Sequence, residues 1–188
     1  MAVSLGIIAS SKTGRLWEPQ GAYDALSTVT LSATTASVTF AGIPSGYKHL
    51  QIRGIGRTST ISDYSNYARF NGDTSGSYAY HWVQGNGTSA TSANTFGDTV
   101  MSMGQLLPLS NQTASAFGTF VMDILDYSNT TKNKTARTLA GFDVNGAGIV
   151  LLSSGLYAKT DAINSITLFP SASASYPQYS QFTLYGIR

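Results

Sequence analysis

Acid–base or nucleophilic chemistry in this chain would have to be built from a sparse stock. There are two histidines, His49 and His81, one glutamate, Glu18, eight aspartates and no cysteine. Absent cysteine removes thiolate nucleophiles, disulfides and cysteine-based metal sites, and leaves the redox compartment unread. His49 follows Lys48 at the mouth of a strand-like run, and His81 sits mid-run between Tyr80 and Trp82. One imidazole on each of two separate strands lacks the close ligand spacing of a zinc site. Asp123 and Asp126 are the closest carboxylates beside a strand, but an odd spacing on a strand sends side chains to opposite faces. They therefore do not make the facing pair that glycoside cleavage requires. Asp73, Asp98, Asp143 and Asp161 lie at turns or strand ends, where a carboxylate commonly bonds to nearby backbone N–H groups. Glycine-rich phosphate loops, Gly-x-Ser-x-Gly turns and alternating-Asp calcium loops are all missing. The expectation is a protein with no catalytic residues, no metal and no cofactor.

Binding chemistry has more material. Asp63-Tyr64-Ser65-Asn66-Tyr67 and Ser175-Tyr176-Pro177-Gln178-Tyr179 fall between strand-like runs. Tyrosine next to serine and asparagine combines a large rigid contact area with a hydroxyl, and sugar rings stack on such faces. Tyr64, Tyr67, Tyr176 and Tyr179 are candidate contacts for a glycan or for a subunit interface. Asn-x-Thr triplets at Asn86, Asn111, Asn129 and Asn133 read as turn composition rather than glycosylation sites, because threonine is frequent throughout.

The elements that must hold these residues are strands. The 188 residues contain only 11% charged residues, against a usual share of about 25%. Serine and threonine replace the missing charge: 25 Ser plus 22 Thr make a quarter of the chain. Nineteen glycines and eleven tyrosines complete an all-β composition with many turns. From residue 27 onward, short runs alternate with turn signals, as at 28–31, 37–40 and 50–57. The segment 32–36 between the first two runs is a hairpin or a short bend. Gly54 and Gly56 stand where inward side chains belong, which implies a bulge or a close backbone approach. Ala68-Arg69-Phe70 runs into Asn71-Gly72, a strong hairpin signal, with 77–83 as its partner. Further strands are expected at 99–103, 117–127, 135–144, 149–157, 163–169 and 181–187. About ten short strands without a helical period predict an all-β, antiparallel two-sheet sandwich of jelly-roll type over 27–188.

Residues 1–26 differ. The apolar run 3–9 is too short to span a bilayer and has no basic start, so a soluble protein made in the cytoplasm, without membrane insertion, is expected. Lysine and arginine form no run, and the formal charge is only +2, so nucleic acid is not an expected partner. Val3, Leu5 and Ile7 alternate with Ser4 and Gly6, and Ile8 and Trp17 add apolar area. This pattern suits an extended docking arm added to another protein's sheet edge, or one folded back on its own sandwich.

Ile43-Pro44-Ser45-Gly46-Tyr47-Lys48-His49-Leu50-Gln51-Ile52-Arg53-Gly54-Ile55-Gly56-Arg57 resembles a segment of virion structural proteins of tailed bacteriophages. Tyr23 to Val29, Phe70-Asn71-Gly72-Asp73 with Tyr78 to His81, and the ending Phe182 to Ile187 fit the same pattern. The resemblance runs from about Tyr23 to the end. It implies a jelly-roll module of tail-fibre, receptor-binding or decoration type. It further implies a homotrimer. Attachment to other virion proteins is expected through the apolar arm, and contact with host-surface carbohydrate through the tyrosine segments. It supplies no catalytic residues.

Overall fold

The computed structural model describes residues 21–62, 65–171 and 174–188. Within them the chain forms twelve strands and no helix. The first six are β1 (Tyr23–Thr30), β2 (Val38–Phe40), β3 (His49–Gly56), β4 (Ser65–Phe70), β5 (Tyr78–Gly85) and β6 (Ala90–Asp98). The rest are β7 (Met101–Gln105), β8 (Gly118–Leu125), β9 (Lys134–Asp143), β10 (Gly148–Tyr157), β11 (Ile166–Pro170) and β12 (Gln181–Ile187). The large sheet has the order β1-β12-β3-β8-β9-β10-β5-β6 and the small one β2-β11-β4-β7. Every pairing is antiparallel.

This is the expected jelly roll with an addition. The pairs β1·β12, β2·β11, β3·β8 and β4·β7 are nested, and they alternate between the two sheets. That is a long hairpin wound around a sandwich. Two inserted hairpins, β5–β6 and β9–β10, both extend the large sheet beyond β8. The edge strand β6 exposes most of its residues.

Alternation explains the layers. In β9, Ala136, Thr138, Ala140 and Phe142 point inward, while Thr135, Arg137 and Leu139 point out. Leu50, Ile52, Phe70, Phe120, Tyr176, Phe182 and Leu184 fill the space between the sheets. Burying each large side chain contributes roughly 1.5–3 kcal/mol. The Phe120 ring uses the space left at Gly54, where an added Cβ would clash with its Cε1. The glycine signal at this site is thus a close approach, since the register of β3 runs unbroken on both sides.

Several local expectations are corrected. β1 begins at Tyr23, so the sandwich starts ahead of residue 27 and the 26/27 boundary falls inside a strand. Of the two forms expected for the segment 32–36, the bend is the one found, and it moves the chain from the large sheet to the small one. Asn71 and Gly72 do make a tight turn with positive φ of 53° and 67°, closed by Asp73 N–H to the Phe70 carbonyl at 2.9 Å. Yet β4 and β5 lie in different sheets, because β11 and β7 occupy both edges of β4. The Asn71 side chain instead clamps the chain ahead of β11: its amide donates to the Ala162 carbonyl, and its oxygen accepts from Asn164 and Ser165 N–H. Tight turns that do close hairpins are at Asn86-Gly87 and Asn145-Gly146, and the longer 126–133 connection closes β8–β9.

Candidate functional site

Three of the four aspartates expected at turns or strand ends are bound to local backbone. Asp73 accepts from Ser75 N–H, Asp143 from Asn145 N–H and Asp98 from Thr99 N–H. Bonds from the Ser75 hydroxyl and N–H hold the Asp73 carboxyl below its usual range. Asp126 sits after β8 among Lys132, Lys48 and His49, and the Lys132 bond lowers its pKa. His49 Nδ1 accepts from Asp126 N–H at 3.0 Å. His81 stands alone on the outer face of β5, edge-on to the exposed ring of Phe96. Among the described residues no group of three or more His, Asp or Glu is placed to hold a metal ion, and no helix is long and apolar enough to cross a membrane.

The four candidate tyrosines do not form one surface. Tyr176 is buried, with its ring 4.8 Å from that of Phe182, so it is a core residue and not a surface contact. It ended up there because Tyr176 itself forms an antiparallel bridge with Thr35 that folds the segment inward. Tyr67 lies on β4, packed against Phe169 at 5.8 Å on the outer face of the small sheet. Tyr179 is the exposed one, at 71%, with a positive φ of 72°. Tyr64 and the arm residues Val3, Leu5, Ile7, Ile8 and Trp17 lie outside the described residues.

What the structure brings together is the outer face of the large sheet. Directly paired residues share a face, so the register builds transverse rows. One row reads Tyr185, Gln51, Asp123, Arg137, Ser154, His81, Asn94 across seven strands. Its neighbour reads Thr183, Arg53, Val121, Leu139, Leu152, Val83, Ser92. The first is polar throughout. The second is apolar in its middle, and Leu139, Leu152 and Val83 are all about half exposed.

The polar row is wired at its β12–β3–β8–β9 end. Arg53 Nε donates to Gln51 Oε1 at 2.7 Å, and Gln51 Nε2 donates to Asp123 Oδ1 at 2.7 Å. Arg137 Nη2 lies 3.8 Å from Asp123 Oδ2. The Arg53 guanidinium carbon lies 5.1 Å from the Tyr23 ring centroid and 4.9 Å from that of Tyr185. Those two rings meet edge to face at 6.4 Å. Next to Tyr23, Asp24 accepts from the Tyr47 hydroxyl and from Arg188, and both bonds, Tyr47's first, lower its pKa. At the far end, His81, Val83, Ser92, Asn94, Leu152 and Ser154 line a shallow hollow of about 460 Å³. A second hollow of about 580 Å³ lies between the tips of the two inserted hairpins and is lined largely by glycine and turn residues.

Gln51 and Arg53 were legible as partners on one strand face. Tyr23, Tyr185, Asp123 and Arg137 were not, because their proximity depends on strand order. Such an arrangement can bind polar and ring-shaped groups. Its carboxylate, Asp123, is engaged by Gln51 and Arg137.

No protein-family model and no curated protein matches the chain. Solved structures similar to it at a distance include the following two. A PL-14 alginate lyase from Aplysia kurodai has a TM-score of 0.33 at 10% identity, over 96% of this chain and 94% of that one. A protein of unknown function from Shewanella oneidensis MR-1 has a TM-score of 0.25 at 10% identity, over 89% and 77%. Neither overlaps closely enough to carry a function across.

Proposed function

We propose that the chain is a non-enzymatic structural protein of a tailed-bacteriophage virion. In this reading it is a homotrimeric fibre or tip component, attached by its N-terminal arm, that offers a rigid sheet face to the host surface and its glycans. The observation that carries the recognition role is the open outer face of the large sheet, where a hydrogen-bonded polar row runs beside an exposed apolar one. Side chains on paired strands are held more precisely than side chains on loops, which suits a surface that must recognise. The virion context comes from the sequence resemblance. Low net charge favours association and is consistent with an oligomer.

A second reading is a capsid decoration protein. Leu139, Leu152 and Val83 favour it, since three adjacent half-exposed apolar side chains suit a protein partner better than water. The location of the protein in a virion reconstruction tests both. Density at the fibre or tip fits the first reading, density over capsid subunits the second, and absence from the particle defeats both. Deleting residues 1–22 tests the arm: truncated protein that still joins the particle at full occupancy removes its docking role. Light scattering giving a monomer's mass at micromolar concentration removes the trimer.

A further inference from the structure

We infer that the Tyr23–Arg53–Tyr185 end of the outer face is a binding site for a carboxylate-bearing saccharide chain lying across the strands. This deepens the reading of that face as a recognition surface and rests on it. Arg53 is exposed, yet its guanidinium is already oriented. Two tyrosine rings hold it, at 5.1 and 4.9 Å, and its Nε bond to the nearly buried Gln51 fixes its direction. Its two Nη groups have no partner among the described residues. A planar guanidinium presenting that edge matches a carboxylate in bidentate fashion, and a group oriented in advance loses little further freedom on binding.

The local charge points the same way. Arg53 and Arg137 face a single carboxylate, Asp123, which is engaged by Gln51 and Arg137. An added anion is therefore favoured over a cation. Two arginines are too few for a phosphate-tracking nucleic-acid surface.

A saccharide fits the rest of the face better than an acidic peptide does. In the row next to Arg53, the path runs outward from Gln51 along Asp123, Arg137, Ser154 and His81, one polar group per strand at about 4.8 Å spacing, comparable with a pyranose repeat. Beside it, Val121, Leu139, Leu152 and Val83 offer apolar contacts to the C–H faces of the rings, and the half-exposed Tyr23 ring does the same at the end of the path. Mid-sheet backbone groups are all used in strand pairing, so a peptide could not add itself as a strand at this place.

The test uses the full chain in affinity electrophoresis and calorimetry with four polymers: polygalacturonate, its fully methyl-esterified form, dextran and poly-glutamate. Polygalacturonate alone should bind, and more weakly as salt rises. Arg53→Gln should weaken binding about tenfold or more, Tyr185→Ala should also weaken it, and Arg53→Lys should restore only part of it. Ile61→Ala, which shortens an exposed side chain in the loop after β3, should leave binding unchanged. Thermal unfolding of each variant separates lost binding from lost folding. Equal binding of the methyl ester, equal binding of poly-glutamate, no binding of polygalacturonate, or full affinity in a folded Arg53→Gln variant would each overturn the inference. Protein found at the fibre tip that ignores polygalacturonate fails this inference alone, whereas protein absent from the particle fails the wider reading.

Discussion

Arg57 follows β3, and its guanidinium donates to four carbonyls, those of Ser110, Gln112, Thr113 and Ala116. It pins the segment between β7 and β8 from a nearly buried position. Arg57→Gln is expected to cost about 1.5–3 kcal/mol, because charged donors are lost and acceptors are left unpaired; chemical denaturation measures it. Lys134 is built on the same plan: its buried ammonium donates to Asn129, Lys132 and Thr160 carbonyls. Burial holds its pKa below the ordinary lysine range, partly offset by Asp161 and Asp126. Tyr176 and Tyr179 make the sharpest contrast at this scale. Tyr176→Ala should leave a core cavity and cost about 3–5 kcal/mol. Tyr179→Ala should shift stability by no more than about 0.5 kcal/mol. Equal losses in the two variants would contradict the burial described above. As sequence, the two tyrosines look alike, each in a short polar segment; only the Thr35 bridge separates their fates.

Among the elements, β5–β6 is the one with least support. β6 pairs only with β5 and buries almost nothing, whereas β9 and β10 are held on both edges and have one face in the core. Amide hydrogen exchange on monomeric protein should therefore be fastest in β6 among the strands and slowest in β3, β8 and β9. Protection of β6 equal to that of β9 in a monomer would show that the strand is held by something besides β5. The same lack of burial kept β6 hidden in the sequence. Ala90 to Asp98 is a run of small polar residues with no apolar alternation, and periodicity reports a strand only when one face is buried. By contrast β12 was expected at 181–187 and is found there, because Phe182, Leu184 and Gly186 all face inward. Asn71-Gly72 shows the limit of local turn chemistry. Its dihedrals fit a hairpin, but a turn sets only the direction of the chain, not which sheet receives the next strand.

For the molecule as a whole, buried phenols tie stability to alkaline pH. Burial raises the pKa of Tyr78 from 10.0 to about 12 and also pushes Tyr157 and Tyr176 up. Below pH 10 the phenols are neutral in folded and unfolded chains alike, so their contribution is fully present. Above it the unfolded chain ionises first and is stabilised, and folding stability falls as pH rises through 10 toward 12. Phenolate absorbance should then appear in two stages, exposed tyrosines first and buried ones together with loss of tertiary circular dichroism. Complete titration near pH 10 with the fold intact would refute this. The composition and the inward-outward alternation of the runs were enough to determine an all-β sandwich with most of its strands, since each strand reports its own burial through a period of two. The candidate site was decided only by tertiary structure. Tyr23, Arg53, Asp123 and Arg137 come from β1, β3, β8 and β9, and nested pairing around the sandwich, together with insertion of β9–β10 beside β8, sets them side by side. Strand order arises from long-range packing of the two sheets, and alternation within single strands does not encode it.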